Sequence, residues 1–279
     1  MRIKTLSPFR WLALGAAAAA TTACAAPPGP GVAPPPRLDV PYAAAAPRLG
    51  AALGDPTWDA AARIDTLSPA IPADPDAPRP ETWPVLSTHV RLAWRPDALY
   101  VRFVCEDPEP FAPHGQRRDA PHHEGDVVEV FIDGVGDARQ WFEVQLSPAG
   151  GVMDQNTVLS GTPESDRRGL LTAQANREHW PNLSYDIRGL RSAVHPYDGG
   201  WVADVALPAA AVLRRREADA FTAGTTLRLN LIRYDRPLRP DADDQRDVRM
   251  GCWSPVVFGR PHRSPMRMGT VRLVAGGDD

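Results

Sequence analysis

From residue 88 onward, apolar and polar side chains alternate with a period of two, the pattern of a half-buried β-strand. Val90, Leu92 and Trp94 alternate with Arg91, Ala93 and Arg95. Leu99, Val101, Phe103 and Cys105 alternate with Tyr100, Arg102, Val104 and Glu106. The pattern returns at Val128, Val130 and Ile132 and at Phe142, Val144 and Leu146, with further strands expected at 201–207, 227–232 and 268–274. Only 208–216 predicts a clear helix, with proline at its first position and alanines behind it. A turn with a short helical piece is expected over 54–65. Short strands separated by turn signals predict an all-β fold: an antiparallel β-sandwich with one short helix.

The segment 126–147 is the most informative. Two alternating strands flank a Gly-rich turn at 134–138. Pairing Asp133 with Arg139 sets a register in which Phe131 faces Trp141, Glu129 faces Glu143 and Val127 faces Gln145. Val128, Val130, Ile132, Phe142, Val144 and Leu146 then point to the core. The other face carries both glutamates, Gln145 and an aromatic pair. Opposed carboxylates on adjacent strands repel. The register therefore calls for an arginine, a cation, a shared proton or a ligand rich in hydrogen-bond donors. Arg102, and Arg228 with Asn230, are the candidate compensators. A wet, charged outer face with a coincidental glutamate pair is the plain alternative.

The N-terminus reads as an address. Arg2, Lys4 and Arg10 precede a short apolar run at 11–20, the form of a secretory signal peptide over 1–23. It ends Thr21-Thr22-Ala23-Cys24, which resembles a bacterial lipobox with threonine where leucine is usual. Cys24 is therefore the candidate lipidation site, and secretion with cleavage near Ala26 is the alternative. Residues 24–41 form a Pro-rich tether, a second Pro-rich loop covers 68–84, the β-domain spans 42–275, and 276–279 is a tail. With Cys24 lipidated, Cys105 and Cys252 remain as an even pair in an oxidising compartment. They are either a disulfide or two separate buried thiols.

Composition narrows the function. Thirty-one of 279 residues are proline, and all but one of the 31 basic residues are arginine, as a GC-rich genome gives. The formal charge is −3, and without the leader 28 basic and 34 acidic residues remain. That balance argues against nucleic acid as a partner. No long apolar stretch follows the leader, so membrane contact is expected only through the N-terminal anchor.

The order WDAA, HVRLAWRPDALYVRFVCED, DVVEVFID, WFEVQLSPAG, GWVADVALP, TLRLNLIRYD, CWSP and MGTVRL resembles family 9 carbohydrate-binding modules over residues 38–274. The resemblance implies a DOMON-like β-sandwich that binds a saccharide or polysaccharide, often with structural calcium. It places the family's pocket glutamate at Glu129. It places the two aromatic clamp positions, usually tryptophan, at His123 and His262, and a sugar-binding arginine at Glu143. The implied ligand set is His123, Glu129, Trp141, Glu143, Arg102, Asn230, His262 and Arg263, with no catalytic residue. Asp55 and Asp107, in acidic turns with Asp59, Glu106 and Glu109, are the candidate calcium ligands.

The leading expectation is non-catalytic carbohydrate binding at the cell envelope, in the outer membrane as a lipoprotein or in the periplasm, in support of polysaccharide breakdown by an unidentified partner enzyme. Three others stay open. Glu129 and Glu143 could serve a glycoside hydrolase as acid and nucleophile. His122, His123, Glu124 and His262 have transition-metal ligand types. Met250, Met266, Met268 and His262 could hold haem, as some DOMON-like relatives do. A structural envelope protein without a small ligand is the bland alternative.

Overall fold

A computed structural model describes residues 33–73, 86–238 and 245–276. The leader, Cys24, the first part of the tether, much of the second Pro-rich loop and residues 277–279 lie outside the described residues. Two sheets pack face to face, as the alternation predicts. In chain order the strands are β1 (Arg37–Pro41), β2 (Ala62–Ile64), β3 (Ser68–Pro69), β4 (Thr88–Trp94), β5 (Ala98–Glu106), β6 (Val127–Asp133) and β7 (Gln140–Leu146). They continue with β8 (Val152–Leu159), β9 (His179–Asn182), β10 (Arg191–Tyr197), β11 (Gly200–Pro208), β12 (Thr226–Asp235), β13 (Arg249–Cys252) and β14 (Gly269–Val274). The larger sheet runs β1-β14-β12-β6-β7-β8-β9, with β13 added on β12 and β3 on β13. The smaller runs β10-β11-β5-β4-β2.

β1 pairs in parallel with β14, whereas the other paired strands are antiparallel. The end of the expected tether is thus a strand of the domain. Val40 shows why, because it is fully buried in the core between the sheets. Among the described residues two short α-helices form rather than one. α1 (Ala173–Arg177) is capped by the Thr172 hydroxyl, which accepts from the Ala175 N–H. α2 (Ala209–Val212) follows Pro208 and tightens into a 3-10 turn at Arg214–Arg216.

The predicted inner set is the observed one. Val128, Val130, Ile132, Phe142, Val144 and Leu146 all join the central core, facing Leu99, Val101 and Phe103 of β5 and Ala203, Val205 and Leu207 of β11. The pairing register differs by two residues from the expected one. Glu129 lies opposite Gln145, and Phe131 opposite Glu143. The turn causes the shift. The Asp133 carboxylate accepts from the N–H groups of Val135, Gly136 and Ala138, which folds a longer loop before β7 resumes. A shift of two preserves the facing of every side chain, because the strand period is two.

The outer face of the larger sheet is not wet. Residues 248–268 and 159–175 fold over it, and Val127, Phe131, Trp141, Ile232, Tyr234, Met250, Val256 and Met268 form a second apolar cluster there. Cys252 belongs to this outer cluster, whereas Cys105 lies in the core between the sheets. The two are free, buried thiols on opposite faces of the larger sheet, so the disulfide does not form. Burial pushes both thiols up to about 12.

Candidate functional site

Part of the outer face stays open. A cavity of about 280 Å³ is floored by Glu129 from β6, Glu143 and Gln145 from β7, Met153 and Gln155 from β8, and Tyr234 from β12. Its walls are His123, Pro181, Leu183, Gly259, Pro261 and His262. The alternation of β6 and β7 aims the two glutamates there, and the covering loops leave the gap.

Glu129 and Glu143 are 1% and 4% exposed. The Gln145 amide bridges them, its Nε2 donating to Glu129 Oε1 at 3.0 Å and to Glu143 Oε1 at 2.7 Å. The Gln155 amide donates to the other Glu143 oxygen. Glu143 therefore accepts on both oxygens. Glu129 Oε2, Gln145 Oε1 and Gln155 Oε1 are buried without a hydrogen-bond partner. Burial, and then the charge of Glu143, hold the Glu129 carboxyl well above the usual range. Burial raises Glu143, while the two amides oppose the shift.

The histidine wall is layered. Trp141 stacks on His179 with ring centroids 5.5 Å apart, and His179 stacks on His262 at 5.9 Å. Burial, reinforced by His179 and nearby arginines, lowers His262 to about 4, so its ring is neutral at neutral pH. His123 stands exposed at the rim.

Of the expected ligand set, the structure brings together His123, Glu129, Glu143 and His262. Trp141 is fully buried and backs the wall through His179 instead of lining the cavity. Arg102 sits on the outer face of the other sheet, where its guanidinium grips Asp204 at 2.7 and 2.8 Å, with the whole core between it and the cavity. Asn230 is consumed by a loop clamp: its amide donates to Ser254 O and accepts from Ser254 N, both at 2.9 Å. Arg228 donates to the carbonyls of Met266 and Met268. Arg263 lines a separate cavity with Asp166, Arg168 and Thr172. Gln155 and His179 are the functional residues that sequence reasoning missed. β8 reads VMDQNTVL, polar on both faces, so no alternation marks it.

The HHE cluster divides three ways. His122 is buried and bonds Arg117 O at 3.0 Å, His123 reaches the rim, and Glu124 pairs with His114 at 2.8 Å. Among the described residues, the groups of three or more metal-ligating side chains close enough to share an ion contain only aspartates. Met250 and Met268 pack in the outer cluster, and the cavity is lined by neither. The two glutamates share one floor and one bridging amide.

The expected calcium ligands are also separated. Asp55 caps the turn at Pro56–Trp58 and pairs with Arg48, and the Thr57 hydroxyl, with the Thr57 N–H and Arg48, lowers it to about 2. Asp107 instead meets Asp126 and Asp235, with one oxygen of each within 4.8 Å of the others. All three are buried, and Asp235 Oδ2 has no hydrogen-bond partner. Arg233 brings one positive charge, 3.2 Å from Asp107 and 3.6 Å from Asp235. Arg249 adds a second guanidinium 3.9 Å from Asp235 Oδ2, and three clustered carboxylates with one oxygen lacking a hydrogen bond have the ligand type of a hard cation.

The chain belongs to the carbohydrate family 9 binding domain-like family, whose model matches residues 51–275. Solved structures share the fold. A family 9 module from Caldicellulosiruptor kristjanssonii in complex with cellotriose is 14% identical, covers 87% of this chain and 95% of its own, and has a TM-score of 0.51. A structure from the same organism in complex with glucose is 15% identical, with coverage of 87% and 98% and a TM-score of 0.51. A proposed carbohydrate-binding protein from Bacteroides uniformis is 16% identical, with coverage of 86% and 99% and a TM-score of 0.58. No curated protein matches the chain.

Proposed function

We propose that the domain binds a saccharide without cleaving it, in the cavity between His123 and His262. The observation that carries this reading is the floor: Glu129, Gln145 and Gln155 line the cavity, and each has a buried acceptor oxygen that no donor meets among the described residues. Buried polar atoms need partners, and sugar hydroxyls supply donors at close spacing. The half-buried His262 ring, stiffened from behind by His179 and Trp141, offers a flat surface for the apolar face of a pyranose. Isothermal titration against gluco-, xylo-, manno- and chito-oligosaccharides tests it. Binding of at least one series, weakened about tenfold or more by Glu129→Gln, is expected. Silence across the panel by a folded protein would sink it.

Calcium at Asp107, Asp126 and Asp235 would neutralise a buried cluster that also braces the rim. Asp126 accepts from Phe111 N and Arg236 N, and the Arg236 side chain donates to His123 O. Bound calcium would supply charge and oxygen coordination there. A rise in melting temperature with added calcium, reversed by chelation and absent in Asp235→Asn, is expected. Cys24 would carry the lipid anchor of an exported envelope protein, with the domain serving a partner in polysaccharide breakdown. Fatty-acid labelling lost in Cys24→Ser is the check.

A further inference from the structure

We infer that the preferred ligand is a saccharide bearing a free amino group, its ammonium seated against Glu129 and Glu143. This deepens the saccharide reading above and rests on it. Elsewhere the buried carboxylates of this chain meet an arginine or, as at Asp126 and Asp133, two or three backbone N–H groups. Asp204 is paired with Arg102 at 2.7 Å, Asp107 with Arg233 at 3.2 Å, and Asp154 with Arg118. Among the described residues, no arginine or lysine lines the cavity. Two carboxylates side by side are thus left with neutral amides and no counter-charge.

The hydrogen-bond inventory points the same way. Both floor amides have turned their N–H groups onto the glutamates, and their carbonyl oxygens, like Glu129 Oε2, are buried without a partner among the described residues. The floor is rich in acceptors, and both of its amides have committed N–H groups to the glutamates, which leaves the Tyr234 hydroxyl as the floor's other donor. A neutral hydroxyl can donate one hydrogen and leaves the charge in place. An ammonium offers three donors and one positive charge in the volume of a hydroxyl. An N-acetyl group in that position would lose the charge and set a carbonyl against acceptors. A uronic acid would bring a third carboxylate.

Burial, and for Glu129 the neighbouring Glu143, raise both carboxyls, and an ammonium between them would favour their ionised form. The titratable groups facing Glu129 are Glu143 from β7, Tyr234 from β12, Cys252 from β13, and His123 and His262 from the covering loops. With His262 neutral, only a protonated His123 at the rim adds positive charge.

The experiment compares matched β-1,4 oligosaccharides of glucosamine, N-acetylglucosamine and glucose, with glucosamine itself, by isothermal titration at pH 6 in 150 mM salt. The glucosamine series should bind about tenfold or more tighter than the glucose series, and the acetylated series weakest. Glu143→Gln and Glu129→Gln, each confirmed folded by circular dichroism and thermal melting, should collapse that ratio toward unity. A single charge removed from an acidic surface would not do so if polycation attachment were unspecific. Equal or tighter binding of the glucose series would overturn the charge inference and leave the saccharide reading standing. A preference that survives both glutamine variants would also overturn it. Absence of binding by all three series would remove both.

Discussion

The two outer faces of this sandwich solve the same problem in opposite ways. On the smaller sheet, Asp204 is buried and answered from within. Arg102 grips both its oxygens, donates to Ala51 O and Ala52 O, and lies over the Trp58 ring at 4.7 Å. On the larger sheet, Glu129 and Glu143 are buried to the same degree and meet only amides. One carboxylate is answered by the protein's own side chain, and the other pair is left, in the reading proposed above, for a ligand to complete. The difference shows how a binding face is marked on a β-sandwich: by polar groups whose partners the fold withholds.

Breaking the closed face should have the largest effect. Arg102→Met strands a buried carboxylate and should cost about 3–5 kcal/mol in urea unfolding. Trp141→Ala, at the base of the His179–His262 stack, should cost a similar or slightly smaller amount, about 3–4 kcal/mol, and should weaken saccharide binding as the wall loosens.

The open face should respond in the reverse sense. Glu129→Gln removes a group that the fold prefers neutral, so unfolding at neutral pH should show stability unchanged or raised by about 1 kcal/mol, while saccharide affinity falls. The pH dependence follows the same sign. Because the folded state raises Glu129, it keeps a proton that the unfolded chain releases near pH 4. Its contribution to stability is full below about pH 4 and is lost as pH rises through the folded titration. Melts of the wild type should fall with rising pH more steeply than those of Glu129→Gln.

His262 sharpens the comparison from the acid side. Its folded value of about 4 lies below the ordinary 6.5, so the stability of its neutral ring is full above pH 6.5 and lost as pH falls toward 4. His262→Phe should flatten that acid limb. The smallest effect is expected at Thr172, the cap of α1 beneath the covering loops. Thr172→Ala should cost about 1 kcal/mol and leave the floor intact.

Much of this architecture was legible along the chain. The inner set of β6 and β7, the strands that face it, the all-β class and the pocket corners at His123, Glu129, Glu143 and His262 follow from alternation and motif order. The register of the hairpin did not follow, because Asp133 binds three turn amides and lengthens the loop by an amount that strand periodicity does not encode. β8 escaped notice because its residues are polar on both faces, one toward Glu143 and one toward the sheet edge where Asp154 meets Arg118. Arg102 was misplaced because alternation tells which face of a strand a residue takes, and not which of the two sheets owns the strand.

The sequence by itself determined the alternation and hence the sandwich, since a period of two gives each strand one continuous apolar face to pack against a second sheet. It also determined that two glutamates share an outer face. The tertiary structure decided that this face would be covered, that the cover would leave a gap over Glu129, and that no arginine among the described residues would line it. Those outcomes depend on where long-range loops land, a matter of packing between residues more than a hundred positions apart, to which local pattern is blind.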